Sequence, residues 1–145
     1  QSREVGLVSA GQNFSILPAE KGERQLGKIL ETLAVIKAEG DIPFWHLVSN
    51  QIIQMARGTT MILITPSIDE NIFTVVMELV QRGLIPVVII IDQSSFGGDA
   101  QASILEEKLT RQGVMAFTIK AGDHIKTALE SPKFILDKHM IYKKI

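Results

Sequence analysis

The stretch Thr59–Asp92 reads TTMILITPS (59–67), IDENIFTVVMELVQRG (68–83) and LIPVVIIID (84–92). Thr60–Thr65 and Val87–Ile91 are apolar and β-branched without polar alternation, the pattern of strands covered on both faces. Between them Ile72, Phe73, Val75, Val76, Leu79 and Val80 recur at helical spacing, leaving Glu70, Asn71, Glu78, Gln81 and Arg82 for solvent. Asp69 is placed to cap this helix, and Gly83 to end it in the left-handed conformation. Strand, helix and strand of this length predict a βαβ unit in a parallel sheet.

The flanks continue the rhythm. Glu4–Ala10 predicts a short buried strand and Phe14–Leu17 a second, closed by Pro18 and paired with the first as a hairpin. A helix is expected over Glu23–Ala38, with Leu26, Ile29, Leu30, Leu33, Ala34 and Ile36 on its apolar side, and another from Asp41-Ile42-Pro43 through Met55. Beyond Asp92, Gln93–Ala100 reads as a flexible loop. Ala102–Gln112 reads as a helix with Ile104, Leu105, Lys108 and Leu109 along one side, and Val114–Ile119 as a strand. Asp123–Glu130 reads as a short helix capped by Asp123. Strands that each follow a glycine (Gly58, Gly83, Gly113) give a doubly wound rhythm. The expected fold is α/β and Rossmann-like: three layers, a mostly parallel sheet with helices on both faces. Residues 1–131 form the domain and 132–145 an apolar and basic C-terminal tail.

Composition narrows the function classes. The 145 residues carry fifteen Lys+Arg against sixteen Asp+Glu, a formal charge of −1, so no overall basic field favours nucleic acid. The absence of Cys excludes a disulfide scaffold, a thiolate zinc site and a Cys nucleophile. No apolar run reaches the ~20 residues that span a bilayer. The chain starts without Met inside an apparent strand, which reads as part of a longer protein.

Open parallel sheets bind ligands at the carboxyl ends of their strands. The residues placed there are Ser9, Gly11 and Gln12; Thr65, Ser67 and Asp69; Asp92, Ser94 and Ser95; and Lys120, Gly122 and Asp123. Asp92 follows five apolar residues and is either a binding carboxylate or the cap of its own loop. Ser94-Ser95 suits phosphate or metal, but Ser is also ordinary loop material. Gly97-Gly98 is not a dinucleotide fingerprint, and neither a P-loop nor a GxSxG elbow occurs. His46, His124 and His139 lie far apart, with no metal-ligand spacing, and Trp45 beside Phe44 is expected to pack a helix on the sheet. No cofactor is implied.

Val5-Gly6-Leu7-Val8, Ile16-Leu17-Pro18, Lys21-Gly22, Arg24-Gln25-Leu26, Ile29-Leu30 and Leu33-Ala34 together resemble the bacterial "domain of unknown function fifty-eight" family. Members of that family look like von Willebrand factor type A domains. The resemblance runs on through Arg57-Gly58-Thr59, Ile62–Thr65, Arg82-Gly83 and Val87–Ile91, each a loose apolar-and-glycine pattern. It implies a cytoplasmic interaction domain of a membrane-anchored parent protein, working with a MoxR-type AAA ATPase. It also implies that the first, central strand of the type A sheet is lacking, which predicts a rearranged sheet or a homodimer. Type A domains hold a divalent cation through DxSxS and later Thr and Asp residues. This chain has no DxSxS, and Thr65-Pro66-Ser67 replaces the expected Thr-Asp-Gly, so no metal is expected.

Two function classes follow. One is a non-enzymatic protein-interaction domain. The other is a small-ligand or nucleotide-binding domain using Asp92, Ser94, Ser95 and the loop behind them.

Overall fold

A computed structural model describes residues 3–130, so the tail expected over 132–145, with His139, lies outside the described residues. The chain divides into two compact units, the first ending at Leu47 and the second beginning at Val48.

The first unit is a hairpin and a helix. Strands β1 (Val5–Ala10) and β2 (Phe14–Glu20) pair antiparallel in a sheet of their own, with an irregularity between Val5 and Leu7. Pro18 does not close β2, which runs on to Glu20. In a two-stranded sheet half the backbone groups face outward, so a residue without an N–H is tolerated there. Helix α1 (Glu23–Val35) stops short of the predicted Ala38 because Ile36 turns to extended backbone. Gln25, 2% exposed, ties the three elements together: its Nε2 donates to the carbonyls of Val5 at 2.7 Å and Pro18 at 2.9 Å. The apolar side expected of α1 is largely open, with Leu26 and Leu30 57% exposed and Leu33 49%. Two strands offer too little surface to cover a helix and build an independent core.

The division between units falls within α2 (Phe44–Ile52). The carbonyl of Pro43 accepts from His46 and Leu47, so Pro43 sits at the helix start where its missing donor costs nothing.

The second unit is the predicted α/β fold. Strands β3 (Thr60–Thr65), β4 (Ile85–Ile91) and β5 (Met115–Ile119) form a parallel sheet in the order β3-β4-β5. Crossovers run through α3 (Glu70–Gln81) and α4 (Ser103–Arg111), and α5 (Ile125–Glu130) follows β5. Asp69 caps α3 as expected, accepting from the Asn71 amide at 2.8 Å. Gly83 ends the α3 turn at φ 78°, a left-handed backbone that favours glycine, whereas the Arg57 side chain beside it is flexible enough to move from an added Cβ.

Register sorts the two faces. Leu63, Val88 and Ala116 align on one, and Thr65, Ile90 and Thr118 continue it. Here α3 and α4 supply the core, with Ile72, Val76, Leu79, Val88, Ile90, Leu109 and Ala116 fully shielded from solvent. The buried side of α4 is Leu105, Glu106, Leu109 and Thr110, one residue on from the expected stripe, and Ile104 is 60% exposed. On the other face Ile62, Val87 and Met115 align, then Ile64, Ile89 and Phe117. Phe117 is buried on the side where His124, Thr127 and Ala128 of the α5 segment line a shared depression, which places α5 over β5. At β3 the same face is open: Ile62 is 61% exposed and Ile64 60%. The expectation that Thr60–Thr65 is covered on both faces is therefore corrected. Among the described residues one short helix lies on this face, too little to cap three strands.

β4 begins earlier than expected and contains Pro86 although it is the central strand. The Ile85 amide donates towards β3, to Thr59, so the next position would point towards β5, whose pairing begins only at Val87↔Met115. No ladder bond is lost.

Ile72→Ala should destabilise the chain by ~2–5 kcal/mol, the cost of a cavity in a closed core. Ile62→Ala, at an open position, should stay within ~0.5 kcal/mol. Urea denaturation followed by circular dichroism checks both.

Candidate functional site

The strand ends of β4 and β5 converge on Asp92. Its Oδ1 accepts from the Ser94 amide at 3.1 Å and the Ser94 hydroxyl at 2.7 Å. Ser95 Oγ donates to the Asp92 carbonyl at 2.7 Å and accepts from the Ala121 amide at 2.8 Å. These bonds wind residues 93–96 into a 3₁₀ turn ended by Gly97 at φ 90°. The segment expected to be a flexible loop is thus a hydrogen-bonded turn, closed by Ser94 N–H on the Ala100 carbonyl. Asp92 is the cap of its own loop, one of its two readings from sequence, and it is also only 8% exposed.

The Ser94 hydroxyl holds the Asp92 carboxyl below its ordinary range; burial opposes this, while the Ser94 amide and the Lys120 ammonium add to it. Asp123 serves the neighbouring loop rather than α5: its Oδ2 accepts from the Lys120 amide at 2.8 Å, and α5 starts two residues later.

A cavity of about 250 Å³ opens beside Asp92, lined by Ser94, Gln101, Ala102, Ser103, Glu106, Thr118 and Lys120. Glu106, 7% exposed on α4, receives a hydrogen bond from the Thr118 hydroxyl on β5. Sequence reasoning picked Asp92, Ser94 and Lys120 for this end of the sheet but missed Glu106 and Thr118. The spacing Ala102, Leu105, Glu106, Leu109, Thr110 is the inward stripe of α4, and it could have pointed to Glu106.

The other strand-end candidates stand elsewhere. Thr65, Ser67 and Asp69 form a relay along the β3–α3 connection: Thr65 Oγ1 accepts from the Ser67 amide at 3.0 Å and Ser67 Oγ from the Asp69 amide at 3.3 Å. None of them lines the cavity. Ser9 lies in β1 of the first unit, its Oγ buried and without a hydrogen-bond partner among the described residues. His46, on α2, lies against the Trp45 ring at a centroid distance of 5.5 Å. Among the described residues no three His, Cys, Asp or Glu side chains are grouped to hold a metal, and no helix is long and apolar enough to cross a membrane.

The second surface feature is the outer side of β3. Thr59 receives the Ile85 amide, so strand alternation turns the N–H and C=O groups of Thr60, Ile62 and Ile64 away from β4. No described strand pairs with that side of β3. Ile62 and Ile64 thus combine outward backbone groups with exposed side chains.

Comparison with known proteins finds no matching family model, no matching curated protein and no matching solved structure.

Because folding lowers the Asp92 carboxyl below its ordinary value of 3.8, its ionised form stabilises the fold. That contribution is fully present above 3.8 and fades as pH falls through the lower folded value. Asp92→Asn should therefore be less stable than the parent at neutral pH, with the gap narrowing on acidification below 3.8. Denaturation midpoints across a pH series measure this.

Proposed function

We propose that this chain is a non-enzymatic protein-interaction domain that takes up a partner's extended segment along β3. The observation carrying this reading is the conjunction at Ile62 and Ile64: outward-turned backbone groups on side chains 61% and 60% exposed. An open strand edge offers main-chain hydrogen bonds for affinity, and the apolar face beside it offers specificity. Edges left this way are normally blunted by Lys, Pro or a bulge; Thr60–Thr65 carries none of these.

Serine chemistry supports the non-enzymatic reading. Ser94 and Ser95 donate to the carboxylate and carbonyl of Asp92, so neither is presented to a histidine base. The resemblance to the von Willebrand factor A-like family supports the finer proposal: the domain belongs to a membrane-anchored bacterial protein, and its partner is a MoxR-type AAA ATPase. A second copy of the chain is the competing occupant of the same edge.

The test is titration calorimetry of the 145-residue chain with a bacterial MoxR-type ATPase, alongside sedimentation of the chain alone. Ile64→Lys should weaken ATPase binding at least tenfold with an unchanged fold. Equal binding by the variant would refute docking at β3. Self-association abolished by Ile64→Lys would assign the edge to a homodimer instead.

A further inference from the structure

The cavity at the ends of β4 and β5 has a chemistry of its own, separate from the β3 edge. Its lining sets two carboxylates, Asp92 and Glu106, against one ammonium, Lys120, a net charge of −1. Asp92 and Glu106 are largely shielded as residues, at 8% and 7% exposure. Three hydroxyls (Ser94, Ser103, Thr118) and the Gln101 amide complete the polar wall, and Ala102 is the one apolar lining residue.

Each ligand class meets that wall differently. A phosphate or carboxylate would face two carboxylates with a single lysine to offset them. A cation would face Lys120, whose charge already acts on Asp92. Hydroxyl groups suit every wall group: they donate to carboxylate oxygens, each carboxylate accepting about four hydrogen bonds in all, beside those from Ser94 and Thr118, and they accept from Lys120 and the Gln101 amide. The size agrees. A cavity of about 250 Å³ holds roughly eight waters at ~30 Å³ each, the room of one five- or six-membered ring with its substituents. The polar groups also stand on rigid supports, since Thr118 lies within β5 and Glu106 within α4.

We propose that this cavity is a binding site for a small neutral polyol, a free pentose, hexose or cyclitol, whose neighbouring hydroxyls donate to the carboxylates of Asp92 and Glu106 while Lys120 donates to them in return. Thr118 is a positioning residue, holding the Glu106 carboxylate towards the cavity. The site does not rest on the docking surface at β3.

The test is saturation-transfer NMR, with Kd values from titration calorimetry, on the 145-residue chain. The probes are D-ribose, D-glucose and myo-inositol, with inorganic phosphate and putrescine as the anionic and cationic comparisons. At least one polyol should bind while phosphate and putrescine do not. Glu106→Gln should weaken it at least tenfold, and Ile64→Lys should leave it unchanged, which separates this site from the β3 edge. If Glu106→Gln fails to fold, Gln101→Leu, at an exposed lining position, should weaken binding about threefold. Absence of polyol binding overturns the proposal. So does preferential binding of phosphate or putrescine, or polyol binding unaltered in the folded lining variants.

Discussion

The structure depends on the seam where α3 closes over the parallel pair β3–β4. Parallel strands cannot be joined by a tight turn, so the crossover helix both connects them and shields one side of the ladder. Ile72, Val76 and Leu79 from the helix and Val88 and Ile90 from β4 are fully shielded, and each such side chain contributes ~1.5–3 kcal/mol by leaving water. Lys108 of α4 reaches Glu70 of α3 across 3.5 Å, but with Glu70 almost fully exposed this pair adds little beside the seam.

With the seam in place, the far ends of the strands acquire their chemistry. Asp92 stands directly after the last residue of β4, α4 brings Glu106 inward from its first turn, and β5 presents Thr118 opposite. None of these three groups neighbours another in the chain. The sheet pairing and the crossover through α4 make them neighbours, and the Ser94 hydroxyl fixes the Asp92 carboxylate in place. The first unit lacks such a frame. Its hairpin and α1 are linked by the paired hydrogen bonds of Gln25, while the leucines of α1 remain half in water.

The two surfaces of the second unit follow from one asymmetry. α3 and α4 cover one face of the sheet, whereas on the opposite face α5 shelters Phe117 on β5 and leaves β3 open. Among the described residues β3 thus keeps an apolar face and an unpaired edge. The covered face ends in a polar cavity, which suits a small solute. A single sheet supports both because its edge and its carboxyl end point in different directions.

Periodicity and turn chemistry were enough to place the βαβ unit. The run from Thr60 to Ile91, the cap at Asp69 and the glycine at 83 are local signals, and local hydrogen bonding enforces them. Asp92, Ser94 and Lys120 were legible for the same reason, as polar residues directly after apolar strands. Glu106 and Thr118 were not, because an acid in a helix and a threonine in a strand look like solvent-facing residues until register and helix rotation bring them together. The openness of Ile62 and Ile64 was equally hidden: an apolar strand reads as buried on both faces, and only the helices laid on the sheet among the described residues show that β3 is left open on one of them. The amino-acid sequence by itself determined the elements, their order and their parallel pairing, since these rest on short-range backbone and patterning energies. The tertiary structure decided which face stays open and which polar groups share a cavity, because both depend on contacts between residues far apart in the chain.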